Sequence, residues 1–338
     1  MIHADSEPIS LQTTSIDPRR DALARWLEDR YPGERITLAP ASEDASFRRY
    51  WRASFADGHT LVAMDAPPGK EDCRPFLHVA RLLAEAGLNA PAVHAQDLAQ
   101  GFLLLTNLDT RTYLAELSDA TAPALFSDAT DALVRWQRAT RPDELPPYDE
   151  SLLRREMALF PEWFVGRHLG RELTDEQRNV LEKMCDALAR SALAQPRVYV
   201  HRDYMPRNLM VCDPNPGILD FQDAVLGPIT YDVVSLMRDA FLSWQEEQVL
   251  DWTVRYWEKA RAAGLPVEGD FGEFWRAFEW MGLQRHLKVL GIFARINYRD
   301  GKPKYLADTA RFLEYARQAA RRYRELAPLG RLLDELSA

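Results

Sequence analysis

Two carboxylates and one carboxamide carry the chemistry that this sequence points to. His201-Arg202-Asp203-Tyr204-Met205-Pro206-Arg207-Asn208 is followed, 12 residues after Asn208, by Asp220-Phe221. Val198-Tyr199-Val200 is a short β-prone run that delivers His201 into a loop, and Pro206 forbids a regular helix there. Leu209-Met210-Val211 is a second apolar run. Asp213-Pro214-Asn215-Pro216-Gly217 reads as a turn, after which Ile218-Leu219 returns Asp220 to the side of Asn208. Two oxygen ligands, Asn208 and Asp220, then stand at neighbouring strand ends with Asp203 close by. Phosphoryl transfer needs this inventory: hard oxygen ligands for magnesium, and a further carboxylate to orient an attacking hydroxyl and accept its proton. His201 is expected to brace the loop rather than to do chemistry.

The elements that position these residues follow from periodicity. Residues 1–16 are polar and aperiodic and are expected to form a flexible tail. Asp17-Pro18 is a helix start, with Leu23, Trp26 and Leu27 at helical spacing. The period then becomes strand-like over Ile36–Ala41 and Phe47–Phe55, and Asp57-Gly58 is a two-residue hairpin signal leading to Thr60–Ala66. With that turn centre Ala53 faces Val62 and Trp51 faces Met64, and Arg49 lies on the same face. A helix with Phe76, Val79, Ala80 and Leu83 stops at Gly87, and strands follow at Ala92–His94 and Phe102–Leu105. Beyond about residue 108 the pattern is largely helical. The expected fold class is therefore α+β: a sheet lobe over 17–108, a hinge at 106–112, and a helical lobe over 113–338, with any shared ligand in the cleft between them.

Composition narrows the function classes. A chain of 338 residues exceeds one typical core, which argues for two lobes. With 42 Lys and Arg against 51 Asp and Glu, the net charge of -9 argues against nucleic acid as a partner. No run of about 18 uncharged apolar residues exists, so no ordinary membrane span is expected. Met1-Ile2-His3-Ala4-Asp5-Ser6-Glu7-Pro8 lacks a basic segment and an apolar run, so a secretory signal is not expected there. Cys73, Cys185 and Cys212 have no metal-ligand spacing and read as reduced thiols. A cytoplasmic monomer acting on a small molecule is the expectation.

The pattern H-R-D-x-x-x-x-N followed by D-F is a kinase signature. Taken with Gly227-Pro228 and Tyr231-Asp232-Val233-Val234-Ser235-Leu236, it resembles the aminoglycoside phosphotransferase superfamily. Gln222 stands where protein kinases have the glycine of D-F-G, and no activation loop or A-P-E motif follows. The resemblance implies a bilobal protein-kinase-like fold, ATP and magnesium as cofactors, Asp203 as the base, and Asn208 and Asp220 as metal ligands. Further segments narrow it: Ala45-Ser46-Phe47-Arg48-Arg49-Tyr50, Met64-Asp65-Ala66-Pro67-Pro68, Glu71-Asp72-Cys73, Arg111-Thr112-Tyr113-Leu114, and the stretch from Gln284 to Arg295. These are similar to the anomeric amino-sugar kinases of bacterial cell-wall recycling. That likeness implies phosphorylation of N-acetylmuramate and N-acetylglucosamine at the C1 hydroxyl.

Within the resemblance, Ser42–Arg49 is the phosphate-covering loop, with Ser46, Phe47, Arg49, Val62 and Met64 toward the nucleotide. Thr106, Asn107 and Leu108 form the hinge that meets the adenine. One departure stands out. Protein kinases carry a lysine on the third strand and a glutamate on the next helix. Here Leu61-Val62-Ala63-Met64 puts methionine at the lysine position, and the helix has no clear glutamate. Arg49 is the expected substitute, with Arg48 beside it as the alternative, because a guanidinium grips phosphate oxygens through a planar fork. On the sugar side the candidates are Glu156, Gln222, Arg285 and Lys288. The last two are three apart on one helix face and suit a substrate carboxylate, or equally a solvated face. Phe160, Trp163 and Phe164 read either as a sugar-stacking cluster or as core. Two other readings stay open: a kinase of the same superfamily with another acceptor, and a regulatory pseudokinase, which would be expected to lose Asp203, Asn208 or Asp220.

Overall fold

The computed structural model describes residues 17–43 and 47–337; the expected tail and Ser46 lie outside the described residues. The chain divides into two compact units. One takes in the described residues up to Cys73 together with Val93–Asn107, and the other Arg74–Ala92 and the chain from Leu108 onward.

In the first unit, α1 (Pro18–Arg30) starts as its sequence predicts: the Asp17 side chain accepts the Arg20 N–H at 3.1 Å and proline stands in the first turn. Five antiparallel strands follow, β1 (Thr37–Glu43), β2 (Arg49–Ser54), β3 (Thr60–Asp65), β4 (Val93–Asp97) and β5 (Phe102–Thr106), in the order β1-β2-β3-β5-β4. Leu23 and Leu27 of α1 pack on Ala53, Phe55, Ala63, Phe102 and Leu104, with Trp26, Trp51 and Leu61 at the margin. One face of the sheet is thus closed by α1. The other carries Tyr50, Arg52, Val62, Met64, Leu103 and Leu105.

The hairpin register differs from the expected one by a single residue. Tyr50 pairs with Met64, Trp51 with Ala63 and Ala53 with Leu61. The cause is loop length. Phe55 and His59 still pair, the Phe55 N–H donating to the His59 carbonyl at 3.0 Å, so three residues form the loop instead of two. Gly58, at φ 91°, takes the left-handed position that such a loop requires, and Asp57 Oδ1 accepts the His59 N–H at 3.0 Å. A one-residue slip exchanges the faces of every side chain. Arg49 is therefore not beside Met64 but on the α1 face. There its guanidinium bonds Asp17 at 2.5 Å and Asp65 at 2.6 Å.

Asp65 is fully buried and also bonds Arg19 through Nε at 3.0 Å. Arg19 and Arg49, each about one-third exposed, neutralise it from two sides and tie α1 to the end of β3.

The second unit is mainly helical: α2 (Cys73–Glu85, all but its first residue), α3 (Tyr113–Glu116), α4 (Ala122–Arg138), α5 (Glu150–Met157), a π-helical segment (Phe160–His168) and α6 (Asp175–Ala194). Four short strands then build the part that matters for chemistry. β6 (Arg197–Val200) pairs with β9 (Val225–Pro228), and β7 (Leu209–Met210) pairs with β8 (Gly217–Ile218). Helices α7 (Tyr231–Met237), α8 (Glu246–Ala262), α9 (Phe271–Asp300), α10 (Thr309–Arg322) and α11 (Ala327–Ser337) complete it.

The spine is α9, buried almost continuously from Phe278 to Ala294, which is why its apolar residues surround the helix instead of forming one stripe. Gly291 is required there. A Cβ at this position would lie 2.4 Å from the Leu159 backbone, so the close crossing of α9 with the π-helical segment admits only hydrogen. The architecture is α+β, as expected.

The ion-pair cluster yields a ranked prediction. Asp65→Ala leaves two arginines without their shared carboxylate and should cost about 2–4 kcal/mol, whereas Arg49→Ala leaves Asp65 still held by Arg19 and should cost about 1–2 kcal/mol. Urea denaturation of both variants checks the order, and an equal loss would contradict the cluster as described.

Candidate active site

The loop from His201 to Asn208 is held from beneath by a buried carboxylate. Asp232, in the first turn of α7, accepts the backbone N–H of His201 at 2.6 Å and of Arg202 at 3.0 Å. Burial pushes its carboxyl up to about 7, while the two N–H donors and the charge of Arg285 pull the other way. Arg202 is in the left-handed region, with φ 75°, and so is Asp220, with φ 62°. Non-glycine residues hold such a conformation only where the surroundings over-determine it, and here the two flank the candidate reaction centre.

His201 is buried, and burial lowers its imidazole to about 4, so the ring is neutral at physiological pH. Its Nδ1 accepts the Asp203 N–H at 3.3 Å, which is the bracing role expected of it.

Asn208 and Asp220 meet across the β7–β8 turn. The Leu219 N–H donates to the Asn208 carbonyl at 2.9 Å, continuing the ladder past Leu209 and Ile218. The Asn208 amide nitrogen donates to the Asp203 carbonyl at 2.9 Å and to Asp220 Oδ2 at 3.3 Å, which leaves the amide oxygen on the opposite side. Gln222 donates to Asp220 Oδ1 at 2.9 Å, so this residue orients a carboxylate in the site. Phe221 is fully buried against Phe76, with ring centres 4.7 Å apart, and anchors the loop behind Asp220.

No group of three or more His, Cys, Asp or Glu side chains stands ready for a metal among the described residues. One amide oxygen and one carboxylate suit magnesium, which takes few protein ligands and completes its shell with water and phosphate oxygens.

Glu156 is placed where sequence reasoning expected a sugar contact, yet protein donors surround it. Oε1 meets Arg202 at 2.5 Å and Lys288 at 2.9 Å; Oε2 accepts from the Tyr148 hydroxyl and lies 3.4 Å from Gln284 Nε2. Burial alone would raise its carboxyl, but Lys288, Arg202 and Tyr148 together hold it down at about 2. Through Arg202 the residue braces the loop. Lys288 also donates to the Tyr231 hydroxyl at 2.8 Å. Arg285 is buried, within electrostatic reach of Asp232 and Asp239. Their shared helix face is an interior one, not a solvated one. Phe160 and Phe164 are likewise buried and stacked on each other, the core alternative.

Of the residues expected to meet the nucleotide, Val62 and Met64 lie on the sheet face opposite α1, and Arg49 does not. Phe47 is 58% exposed. Thr106 ends β5, where its hydroxyl pairs with His94 at 3.0 Å, and Asn107 donates to the Thr60 hydroxyl at 2.8 Å. The chain leaves the first unit between Asn107 and Leu108. Asp232 was missed as a functional residue. Its signal was a single charge inside the apolar run from Tyr231 to Met237, where a buried carboxylate must find backbone donors.

Comparison with known proteins agrees with this geometry. Residues 37–266 match the phosphotransferase enzyme family. The chain belongs to it. A protein of Pseudomonas putida named N-acetylmuramate/N-acetylglucosamine kinase is 55% identical over 302 residues, 89% of this chain and 89% of that protein. One of the same name from Neisseria meningitidis is 52% identical, covering 94% of this chain and 96% of that protein. Among solved structures, a Cryptosporidium parvum choline kinase superposes with a TM-score of 0.62 at 11% identity, over 93% of this chain and 99% of that one. An ADP-bound aminoglycoside phosphotransferase superposes with a TM-score of 0.58 at 15% identity, over 87% and 97%. The fold is protein-kinase-like, and the protein is a phosphotransferase. No helix among the described residues is long and apolar enough to cross a membrane.

Glu156 offers a test of the bracing network. Glu156→Gln strands Arg202 and Lys288 in the interior and should cost about 3–5 kcal/mol at pH 7. Because its carboxyl is depressed from 4.5 to about 2 on folding, its contribution is present above pH 4.5 and is lost as pH falls toward 2. The variant should therefore lose less stability than the parent over that interval. Urea denaturation at pH 7, 5 and 3.5 measures this, and parallel pH curves would refute it.

Proposed function

We propose that this phosphotransferase is an ATP-dependent kinase that phosphorylates N-acetylmuramate and N-acetylglucosamine at the anomeric hydroxyl, within peptidoglycan recycling. One observation carries the reading: Asp203, Asn208 and Asp220 converge in a chain more than half identical to relatives named for those sugars. We take the enzyme to be a cytoplasmic monomer, since ATP and recycled sugars meet in that compartment.

Asp203 is the base. Its loop is locked by Asp232. The C1 hydroxyl donates to Asp203, and its oxygen bonds the γ-phosphorus as the bond to the bridging oxygen breaks. The proton passes to Asp203, and ADP leaves with the bonding electrons. An anomeric hydroxyl is more acidic than an ordinary alcohol, so one carboxylate suffices. Asn208 and Asp220 would hold magnesium, which supplies charge neutralisation on the phosphate oxygens. Gln222 keeps Asp220 in its orientation.

The acceptor is the finer part of the reading. Lys288 is held by Glu156 at 2.9 Å and donates to the Tyr231 hydroxyl at 2.8 Å, so its charge is committed within the protein. The buried Nη1 of Arg285 has no hydrogen-bond partner among the described residues, and Arg285 stays the candidate for the lactyl carboxylate of a muramate. N-acetylglucosamine has no carboxylate and needs no such partner.

Phosphorus NMR with ATP and each sugar tests the proposal: a sugar 1-phosphate signal is expected, reduced roughly 100-fold to 10,000-fold in Asp203→Asn. A signal of full strength in that variant would remove Asp203 as the base. Asp232→Asn keeps one acceptor of two and lets the loop shift, so kcat should fall by up to roughly 100-fold while KM for ATP changes little. Steady-state kinetics decide this, and an unaltered kcat would refute the locking role.

A further inference from the structure

The cation that stands in for the third-strand lysine can be located within the sheet unit. Arg49 is excluded by its register, since it faces α1 and is consumed by Asp17 and Asp65. Arg48 immediately precedes β2. By the two-residue alternation of a strand it is in step with Tyr50 and Arg52, and so with the face that carries Val62 and Met64. Tyr50 pairs directly with Met64, the residue at the lysine position, and Arg48 lies one alternation beyond that pair.

A carboxylate is already gathered at this point. Glu71, between β3 and α2, accepts the Phe47 N–H at 3.0 Å through Oε1, and its Oε2 lies 3.6 Å from Arg48 Nε. The Arg48 and Glu71 side chains are only 12% and 18% exposed, so the pair is not an ordinary surface contact. The Lys70 ammonium stands 4.1 Å over the Phe47 ring and adds positive charge at the same end of the sheet. The Phe47 N–H and the Arg48 guanidinium both meet the Glu71 carboxylate, which fixes the guanidinium at this end of the sheet.

We propose that Arg48 is the nucleotide-phosphate-binding cation of this enzyme and that Glu71 orients it, the two together replacing the lysine–glutamate pair of protein kinases. The proposal rests on the ATP-dependent reading above. It identifies a glutamate that the helical pattern concealed, because Glu71 precedes α2 instead of lying within it. Arg48 contacts phosphate oxygens through its planar fork. Glu71 acts through Arg48 and is a positioning residue.

Calorimetric binding of ADP and of adenosine, without any sugar, tests this independently of the acceptor. In Arg48→Ala the affinity for ADP should fall roughly 10-fold to 100-fold while that for adenosine stays within about twofold. Arg48→Lys, which keeps the charge and most of the packing, should show a smaller loss of ADP affinity and stands in should the alanine variant not fold. Glu71→Gln should weaken ADP binding less than Arg48→Ala, and the double variant should be no weaker than Arg48→Ala alone, because Glu71 works through Arg48. Unchanged ADP affinity in the Arg48 variants overturns the proposal, and multiplicative losses in the double variant overturn the role given to Glu71.

Discussion

A carboxylate removed from water and turned toward two main-chain N–H groups underlies the reaction centre. Asp232 fixes His201 and Arg202, and Arg202 holds its left-handed backbone, φ 75°, where both bonds are made. From that point constraint spreads in two directions. The Arg202 guanidinium reaches Glu156, and Glu156 reaches Lys288 on the buried spine of α9. The main chain continues through Asp203 to Asn208, whose amide bonds the Asp203 carbonyl and the Asp220 carboxylate together. A base must be held within a fraction of an ångström of its target, and a chain of charge-assisted hydrogen bonds in a low-dielectric interior gives that stiffness.

The buried carboxylates of this network are each met by hydrogen-bond donors. Glu156 sits between two cations and two neutral donors, and Asp232 between two amides with Arg285 nearby. Isolated burial of any one would be prohibitive, and the pairing makes it tolerable without necessarily adding stability. Such a cluster specifies one arrangement of α5, α7, α9 and the catalytic loop. Its value lies in geometry more than in free energy.

What was legible in the sequence was what depends on short spans. Asn208 is five residues from Asp203, and the proline-rich turn between β7 and β8 is short, so the convergence of Asn208 with Asp220 follows from turn chemistry alone. The α1 cap and the α+β order were readable for the same reason. The side-chain faces of β2 were not, because they depend on whether the hairpin loop holds two residues or three. Asp57-Gly58 suits both, with Gly58 serving either turn through its positive φ. That one residue moved Arg49 from the nucleotide face to a salt bridge with Asp17 and Asp65. Long-range partners were equally hidden: Glu156 and Lys288 are far apart in sequence, and nothing local tells a substrate carboxylate from a bracing one.

The same parity argument explains why a sheet without the third-strand lysine can still present a cation. Strand alternation carried one step before β2 puts position 48 in step with Tyr50, the partner of Met64, and a guanidinium reaches further than the residue that bears it. Placing the charge before β2 also changes what holds it. Arg48, Phe47 and Glu71 all belong to one compact unit, so the cation, its orienting carboxylate and the adjoining main-chain N–H are a single local construction. A lysine on a strand paired with a glutamate on a separate helix is set only when the helix is in position. Here the carboxylate paired with Arg48 comes from a seven-residue connection between β3 and α2, in which Glu71 follows directly on Lys70.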